Sequence, residues 1–277
     1  MTRVGTYSGN CRLVVSDIDE TFVATDKSVP PRNLEALRRL EKAGIPFAFA
    51  SGRYWPSLRQ FTEKLGIKSP QIVDNGAMVI RPGDEAVLGR YPVGRECLDY
   101  FYFGLRKAGF IPLLSTGLAY HAPEMDQPLF EQLTLHAEAA DVLPEKDIVS
   151  RFDEYGKLVV FAQHRVHELE AVADKLLAAV PSQFRFSSVF TEQGIFVVTA
   201  ENVSKASGVL TLCRELGCTP DDVVSVGDGD NDVEMLELTG RGFVVENGTA
   251  RAKRAATDIV PTNNDAGFAC AVDILLG

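Results

Sequence analysis

Short apolar runs alternate with amphipathic runs along the first part of the chain. Continuous apolar runs of strand length predict buried strands at CRLVVS, IPFAFAS and QIVDNGAMVI. Leucines at helical spacing, with prolines before them and Gly44 after them, predict a helix over PPRNLEALRRLEKAG. A second helix is predicted over SLRQFTEKLG. This strand–helix order predicts an α/β fold built on a parallel sheet that is covered on both faces.

The pattern changes at RPGDEA, where proline and glycine interrupt the apolar runs. Beyond it, helical patterns over EQLTLHAEAADVL and HELEAVADKLLAAV mix with strand patterns at GKLVVFAQ and QFRFSSVF. The first rhythm returns in the strands GIFVVTA, DDVVSVGD and RGFVVENG and the helices KASGVLTLCRELG, NDVEMLELTG, TARAKRAATD and AGFACAVDILL. We therefore predict a Rossmann-like core formed by residues 1–83 and 191–277, with an inserted α+β domain at residues 84–190.

Composition narrows the class of protein. The chain has 277 residues, of which 45% are hydrophobic and 24% charged, as in ordinary globular proteins. A formal net charge of −10 argues against a nucleic-acid partner held by phosphate contacts. The five cysteines include no CxxC pair, which fits a reducing compartment. No signal-peptide pattern and no apolar run of membrane-spanning length occurs, so a cytoplasmic protein without a membrane partner is expected.

Carboxylates are concentrated where predicted strands end. Asp17 and Asp19 follow the first strand, and GDGDND places Asp228, Asp230 and Asp232 after a later one. Functional groups of open parallel sheets collect at the carboxyl ends of the strands, so these carboxylates are expected to converge. Like charges at ~4 Å repel by about 4 kcal/mol at an effective dielectric of about 20. A hard divalent cation such as Mg²⁺, which prefers oxygen ligands, would relieve this repulsion.

The aspartates have two other possible interpretations. They could cap helices and form turns, which is an equally good account of GDGDND taken alone. An EF-hand loop also starts D-x-D-x-D, but its sixth position here is Val233 instead of glycine and its twelfth is Thr239 instead of glutamate.

Phosphate-binding groups are predicted near the same strand ends. Ser51 and Gly52 follow the second strand, where a hydroxyl and backbone N–H groups can meet a phosphate oxygen. Lys205 lies at a strand-to-helix junction. A lysine there is usually solvated, but beside converging carboxylates it would neutralise an anionic substrate.

Four segments in this order resemble the motifs of the haloacid dehalogenase (HAD) superfamily of phosphohydrolases. DIDET resembles the first motif, FAFASGR the second, Lys205 the third and GDGDND the fourth. VDNGA, VSKASG and NGTARAKRAATDIVPTNNDAG further resemble the Cof-type branch, in which a large α+β (C2-type) cap lies between the second and third motifs. The resemblance implies that the inserted domain is this cap.

The resemblance also implies a role for each motif residue. Asp17 would be the nucleophile that forms an aspartyl-phosphate, and Asp19 the general acid and base. Mg²⁺ would be held by Asp17, the backbone carbonyl of Asp19, Asp228 and Asp232, the last directly or through water. The phosphoryl group would be oriented by Ser51, Gly52, Lys205 and Asn231.

The expected function is a Mg²⁺-dependent phosphatase for small phosphorylated metabolites of the sugar-phosphate kind, with a cap that closes over the substrate. Two alternatives stay open. A phosphomutase or phosphotransferase would pass the same aspartyl-phosphate to another acceptor, and a non-catalytic regulatory protein would bind phospho-ligands in the same pocket. Tyr120, His121 and the aromatic run at residues 100–103 are candidates for substrate contact, although aromatic residues more often fill a core.

Four residues depart from the pattern of the family. Ser51 replaces the commoner threonine, Ala206 a usual glycine, and Glu246 occupies a loop that often reads Met-Gly-Asn. Glu20 stands where glycine is common. Since residues i and i+2 of an extended segment point the same way, we expect Asp17 and Asp19 to share a direction and Glu20 to provide no metal ligand.

Overall fold

The computed structural model describes residues 11–135, 138–162, 164–190 and 194–277. The strands are β1 (Leu13–Ser16), β2 (Phe47–Phe49), β3 (Gln71–Val73), β4 (Met78–Ile80), β5 (Val87–Arg90), β6 (Leu113–Ser115), β7 (Tyr120–Ala122), β8 (Ala140–Val142), β9 (Lys157–Phe161), β10 (Phe186–Phe190), β11 (Ile195–Ala200), β12 (Val223–Gly227), β13 (Arg241–Val245) and β14 (Asp258–Val260).

The helices alternate with these strands along most of the chain. They are α1 (Pro31–Lys42), α2 (Trp55–Leu65), α3 (Arg95–Lys107), α4 (Gln127–Leu135), α5 (Glu145–Ser150), α6 (Val166–Ala179), α7 (Lys205–Leu216), α8 (Val233–Leu238), α9 (Ala250–Ala255) and α10 (Gly267–Leu276). Within the described ranges, none of them has the length and apolar character needed to cross a membrane.

A five-stranded parallel sheet forms the centre of the first of two compact units. Its order is β14-β13-β12-β1-β2, so β1 lies between β12 and β2. This confirms the predicted α/β class with a parallel core sheet. All four residues of β1 and all five of β12 are buried, which is why these strands are apolar without alternation.

Helices cover both faces of this sheet. On one face, Val15 and Ala48 pack with Val209 and Leu212 of α7 and with Met235 of α8. On the other face, Phe22 and Phe268 of α10 enclose Phe47 and Phe49 in a set of edge-to-face aromatic contacts. The strand ends are therefore held between two packed layers.

The segment QIVDNGAMVI is not the single strand that its apolar character predicts. It forms the antiparallel pair β3 and β4, joined by a 3₁₀ turn at Asp74–Gly76. Asp74 and Asn75 have φ angles of 50° and 54°, in the left-handed region that asparagine and aspartate tolerate better than other non-glycine residues. The Asn-Gly pair, a strong turn signal, decided the local structure against the apolar flanks.

The second unit contains a six-stranded sheet of order β10-β11-β9-β6-β7-β8, which is antiparallel except between β7 and β8. One face packs on α3 and α6 through a large core that includes Phe101, Leu105, Leu169 and Phe196. The mixture of antiparallel strands and helices has the α+β character expected of the insert.

The limits of the two units differ from the expected domain limits. The first comprises the described residues up to Gly52 together with Phe61–Gly89 and Ser204–Gly277, and the second comprises Arg53–Gln60 and Arg90–Val203. GIFVVTA, expected in the core, is β11 and pairs antiparallel with β9 and β10. A short apolar strand does not by itself specify which sheet it joins. Residue 191, the expected boundary, lies outside the described residues.

Other elements also differ from expectation, and no pattern predicted β5, α3, β6, β7 or α5. The helix predicted over EQLTLHAEAADVL ends at Leu135, and its last part forms β8; residues 136 and 137 lie outside the described part. The strand β14, which has three residues and pairs parallel with β13, was also not predicted. Both strands are too short to show a clear period in the sequence.

Replacing Gly76 by alanine is expected to destabilise the first unit by several kcal/mol. The φ of Gly76 is 101°, and a Cβ atom there would overlap the carbonyl oxygen of Ser204. Gly83→Ala is the matched control, since its φ is 93° but no heavy atom of the described residues lies within 4 Å of the added Cβ. It should cost only about 1 kcal/mol, from backbone strain. Urea unfolding of both variants measures the difference, and equal losses would contradict the close packing at Gly76.

Candidate active site

A buried lysine joins two of the predicted carboxylates. The Nζ atom of Lys205 lies 2.9 Å from Oδ1 of Asp17 and 2.7 Å from Oδ1 of Asp232. The side chains of Lys205 and Asp232 are fully buried, whereas that of Asp17 keeps 12% of its surface exposed. A buried charge is tolerated when it is paired and hydrogen-bonded, and Lys205 meets both conditions.

The start of α7 fixes the position of Lys205. Ser204 is the N-cap residue and forms a reciprocal capping box with Ser207. Gly76 lies directly against the carbonyl of Ser204, which brings the β3–β4 turn against this end of α7. Ala206, where the family usually has glycine, is the second residue of the helix, a position that alanine suits well.

The GDGDND segment folds back on itself after β12. Oδ2 of Asp232 accepts hydrogen bonds from the backbone N–H groups of Asp228 at 3.0 Å and Gly229 at 2.9 Å. A Cβ atom on Gly227 would come within 2.6 Å of the Asp232 side chain, so glycine allows this turn to close. Thr21 donates a hydrogen bond from its hydroxyl to Oδ1 of Asp228 and so links this turn to the segment after β1.

Burial and mutual repulsion disfavour the ionised carboxylates. Burial raises the pKa of Asp17 well above its ordinary value, against the attraction of Lys205, and Asp232 and Asp228 raise it further. Burial and the charge of Asp232 likewise raise the pKa of Asp228 to about 6. For Lys205, burial alone would lower the pKa, but attraction to Asp17 and Asp232 raises it above its ordinary value.

The three carboxylates fit a divalent cation. Asp17, Asp228 and Asp232 each offer an oxygen atom, and these atoms all lie within 4.8 Å of one another. Carboxylate oxygens are the ligands that Mg²⁺ prefers. The raised pKa values of Asp17 and Asp228 also indicate that a bound cation would favour the ionised form of both groups.

Asp19 lies in a turn and not in an extended segment. The backbone N–H groups of Phe22 and Val23 both donate to the carbonyl of Ile18, so the chain reverses just after β1. The alternation expected for Asp17, Asp19 and Glu20 therefore does not apply. Glu20 nevertheless lies outside the carboxylate cluster found among the described residues. The Asp19 side chain instead lies 3.3 Å from Nζ of Lys27.

The other predicted phosphate-binding residues meet at Asn75. The Asn75 N–H donates to the carbonyl of Ser51 at 2.8 Å, and Nδ2 of Asn231 donates to Oδ1 of Asn75 at 3.0 Å. A Cβ atom on Gly52 would lie 3.2 Å from Nδ2 of Asn75. Sequence reasoning gave Asn75 no role in the site, although the Asp-Asn-Gly turn signal was present.

The aromatic candidates of the second unit divide between core and polar contacts. Phe101 and Tyr102 are fully buried, and His121, whose pKa burial lowers, lies 2.9 Å from the Tyr155 hydroxyl. Tyr120 stacks on Tyr54 at a centroid distance of 4.3 Å, and its hydroxyl accepts a hydrogen bond from Lys157 at 2.9 Å. Phe103 is exposed.

The chain is similar to known proteins over most of its length. Residues 14–272 match the family model described as haloacid dehalogenase-like hydrolase. A phosphoglycolate phosphatase of Methanopyrus kandleri is 28% identical over 266 residues, which cover 93% of this chain and 94% of the relative. A 5-amino-6-(5-phospho-D-ribitylamino)uracil phosphatase of Bacillus subtilis is 22% identical, and the match covers 93% of this chain and 94% of the relative.

A solved structure shows the same fold. It is a haloacid dehalogenase-like hydrolase from Bacteroides thetaiotaomicron, with a TM-score of 0.83 and 22% identity. The match covers 95% of this chain and 98% of that one.

Asp228→Asn is expected to flatten the pH dependence of stability in metal-free protein. Because its pKa is raised to about 6, folded Asp228 binds a proton more tightly than the unfolded chain does. The contribution of Asp228 to the free energy of unfolding should therefore fall by about 1–2 kcal/mol as pH rises from about 4 to about 6, and the substitution should remove this contribution. Urea unfolding in EDTA across this range measures the slope.

Asp230→Asn is the control for this experiment, since its exposed side chain lies outside the carboxylate cluster. It should retain the slope of the unsubstituted protein. An equal slope in the Asp228→Asn protein would contradict the assignment.

Proposed function

Because the chain belongs to the haloacid dehalogenase-like hydrolase family, we propose that it is a Mg²⁺-dependent phosphatase of small phosphorylated metabolites. One observation carries the proposal: the fully buried Lys205 joins Asp17 to Asp232, with an oxygen of Asp228 within 4.8 Å. A lysine and three carboxylates at this spacing suit phosphoryl transfer, which requires little beyond positioning and charge stabilisation.

Asp17 is the nucleophile of the proposed reaction. Lys205 holds Oδ1 of Asp17, and the side chain keeps some exposed surface. The other oxygen, Oδ2, would attack phosphorus, forming an aspartyl-phosphate as the bond from phosphorus to the ester oxygen breaks. The departing alkoxide takes a proton from the Asp19 carboxyl group and leaves as an alcohol.

The second half of the reaction returns Asp17 to its starting state. Asp19, now ionised, removes a proton from a water molecule, and the resulting oxygen nucleophile attacks the phosphorus of the aspartyl-phosphate. The bond from phosphorus to Oδ2 of Asp17 breaks, and inorganic phosphate is released. Asp19 thereby regains the proton that it gave to the alcohol.

Asp17, Asp228 and the backbone carbonyl of Asp19 are the proposed direct holders of Mg²⁺. Both oxygens of Asp232 already accept hydrogen bonds, from Lys205 and from the N–H groups of Asp228 and Gly229. We therefore assign Asp232 a contribution through water. When bound, the cation supplies positive charge that lets an anionic carboxylate approach an anionic phosphate.

Ser51, Gly52 and Asn231 are the proposed contacts of the transferring phosphoryl group. Their common neighbour Asn75 supports this assignment, because it ties the loop after β2 to the GDGDND turn. Lys205 is fully buried against carboxylates, so we assign it first to the orientation of Asp17 and second to the charge of the phosphoryl group.

The proposed substrates are phosphomonoesters of small alcohols. The relatives named above act, by their names, on phosphoglycolate and on a phosphorylated ribitylaminouracil, both small alkyl phosphates. We further propose that the second unit is the inserted cap domain and that it distinguishes among such substrates.

Asp17→Asn is expected to reduce hydrolysis of p-nitrophenyl phosphate by roughly 10³-fold or more, because an amide oxygen is a poor nucleophile. Steady-state assay of phenolate release with Mg²⁺ measures the loss. Asp230→Asn, a matched change in the GDGDND turn, should keep the activity of the unsubstituted protein.

The same assay tests whether the reaction requires a metal ion and whether the protein is an enzyme. EDTA should abolish turnover, and added Mg²⁺ should restore it. Retained activity in Asp17→Asn would refute the nucleophile, and activity in EDTA would refute the metal requirement. Binding of phosphate esters without any turnover would favour the non-catalytic regulatory protein instead.

A substrate panel is expected to rank small alkyl phosphates above p-nitrophenyl phosphate. Contacts to the non-reacting part of a true substrate raise kcat/KM, so the preferred compound should exceed the aryl ester by roughly 10-fold or more. Phosphoglycolate, phosphorylated sugars, nucleotides and pyridoxal phosphate form the panel. A flat ranking of kcat/KM would contradict selectivity and indicate a generalist.

A further inference from the structure

Glu20 has a strained backbone in the turn that carries Asp19. Its φ is 55°, in the left-handed region that costs most residues free energy and that glycine adopts freely. Strained positions of this kind persist where surrounding contacts hold them, and they are frequent in functional sites. The contacts that hold Glu20 therefore bear on the function of this turn.

Side-chain and backbone hydrogen bonds tie Glu20 to two other segments. Its Oε2 atom accepts from the Thr25 hydroxyl at 2.9 Å and from Nδ2 of Asn263 at 3.2 Å. Its backbone carbonyl accepts from Nδ2 of Asn247 at 2.8 Å. Asn247 in turn accepts from the N–H of Asn263 at 2.9 Å, so the two asparagines form one support.

The asparagine that contacts the Glu20 side chain is itself held by other contacts. Asn263 is only 1% exposed, and its Nδ2 also donates to the carbonyl of Val23 at 3.1 Å. Its position is set by a 3₁₀ turn that begins after Thr262 and precedes α10. Glu20 thus connects the turn after β1 to a buried amide of the C-terminal segment.

Lys27 extends this connection to Asp19. Its Nζ atom lies 3.5 Å from Oε1 of Glu20 and 3.3 Å from Oδ1 of Asp19. Lys27 also lies in a tight turn, with a φ of 66° and its N–H donating to the carbonyl of Ala24. The ammonium group therefore bridges the two carboxylates from a constrained backbone.

We propose that Glu20 and Lys27 are positioning residues that hold the Asp19 carboxyl group for proton transfer to the leaving alcohol. This inference rests on the proposed function, in which Asp19 is the general acid. Ion pairs this exposed contribute little to global stability. Their removal should therefore change the orientation of the Asp19 side chain more than the stability of the fold.

The choice of leaving group separates positioning from a structural role. An alkoxide needs a proton to leave, whereas p-nitrophenolate leaves readily without one. Loss of general acid catalysis, typically worth 10²–10⁴-fold, therefore falls mainly on alkyl phosphates. The ratio of kcat/KM for the best alkyl phosphate to kcat/KM for p-nitrophenyl phosphate reports this effect, and a general loss of folded protein leaves the ratio unchanged.

Glu20→Gly is the decisive variant, because glycine accepts the φ of 55° while the side-chain contacts are lost. We expect the alkyl-to-aryl ratio to fall by roughly 10-fold, with the urea midpoint unchanged or higher. Lys27→Met should lower the ratio similarly, and the double variant should add little, since both changes break one bridge. Glu85→Gly is the matched control: it removes a glutamate with a φ of 54° from the segment between β4 and β5 and should leave the ratio unchanged.

The outcomes separate this inference from the proposed function. The unsubstituted protein must hydrolyse both esters, and Asp19→Asn must lower the ratio; failure of either refutes the proposed function. If both hold, an unchanged ratio in Glu20→Gly and Lys27→Met, or equal losses on the two esters, overturns the positioning role alone.

Discussion

The contact on which the site depends is the buried ion pair between Lys205 and the carboxylates Asp17 and Asp232. An ammonium group with no exposed surface costs several kcal/mol unless it is paired, and here one cation meets two anions at 2.9 and 2.7 Å. The pairing requires that three segments distant in sequence bring Asp17, Lys205 and Asp232 to the same site. The parallel sheet meets this requirement, because β1 and β12 are neighbours and α7 packs against their face.

Turns that need unusual backbone angles complete the arrangement. Asn75 and Glu20 both have a left-handed φ, and each is held by side-chain hydrogen bonds to another loop. Gly76 and Gly227 allow backbone and carboxylate to approach where a Cβ atom would collide. Backbone angles of this kind persist where surrounding contacts hold them, and they are common in functional sites.

By themselves, the charges of the site are unfavourable to the stability of the folded protein. One lysine faces three carboxylates within a small volume, and the pKa values of Asp17 and Asp228 are raised first by burial and then by the neighbouring negative charges. A divalent cation would offset this excess of negative charge and let an anionic phosphate approach the carboxylates. Stability is given up at the same residues that the proposed chemistry requires.

The sequence by itself determined the features that arise from local patterns. The apolar runs specified β1 and β12, the spacing of leucines specified α1, and the order of DIDET, Lys205 and GDGDND specified the carboxylate site and its family. Tertiary structure decided what depends on partners far away in sequence. It assigned β11 to the second sheet, turned Asn75 toward Asn231, and brought Lys27 to Asp19 and Glu20 to Asn263. These contacts could not be predicted because strand pairing and side-chain hydrogen bonds depend on which segments the folded chain brings together, whereas periodicity reports only the environment along one segment.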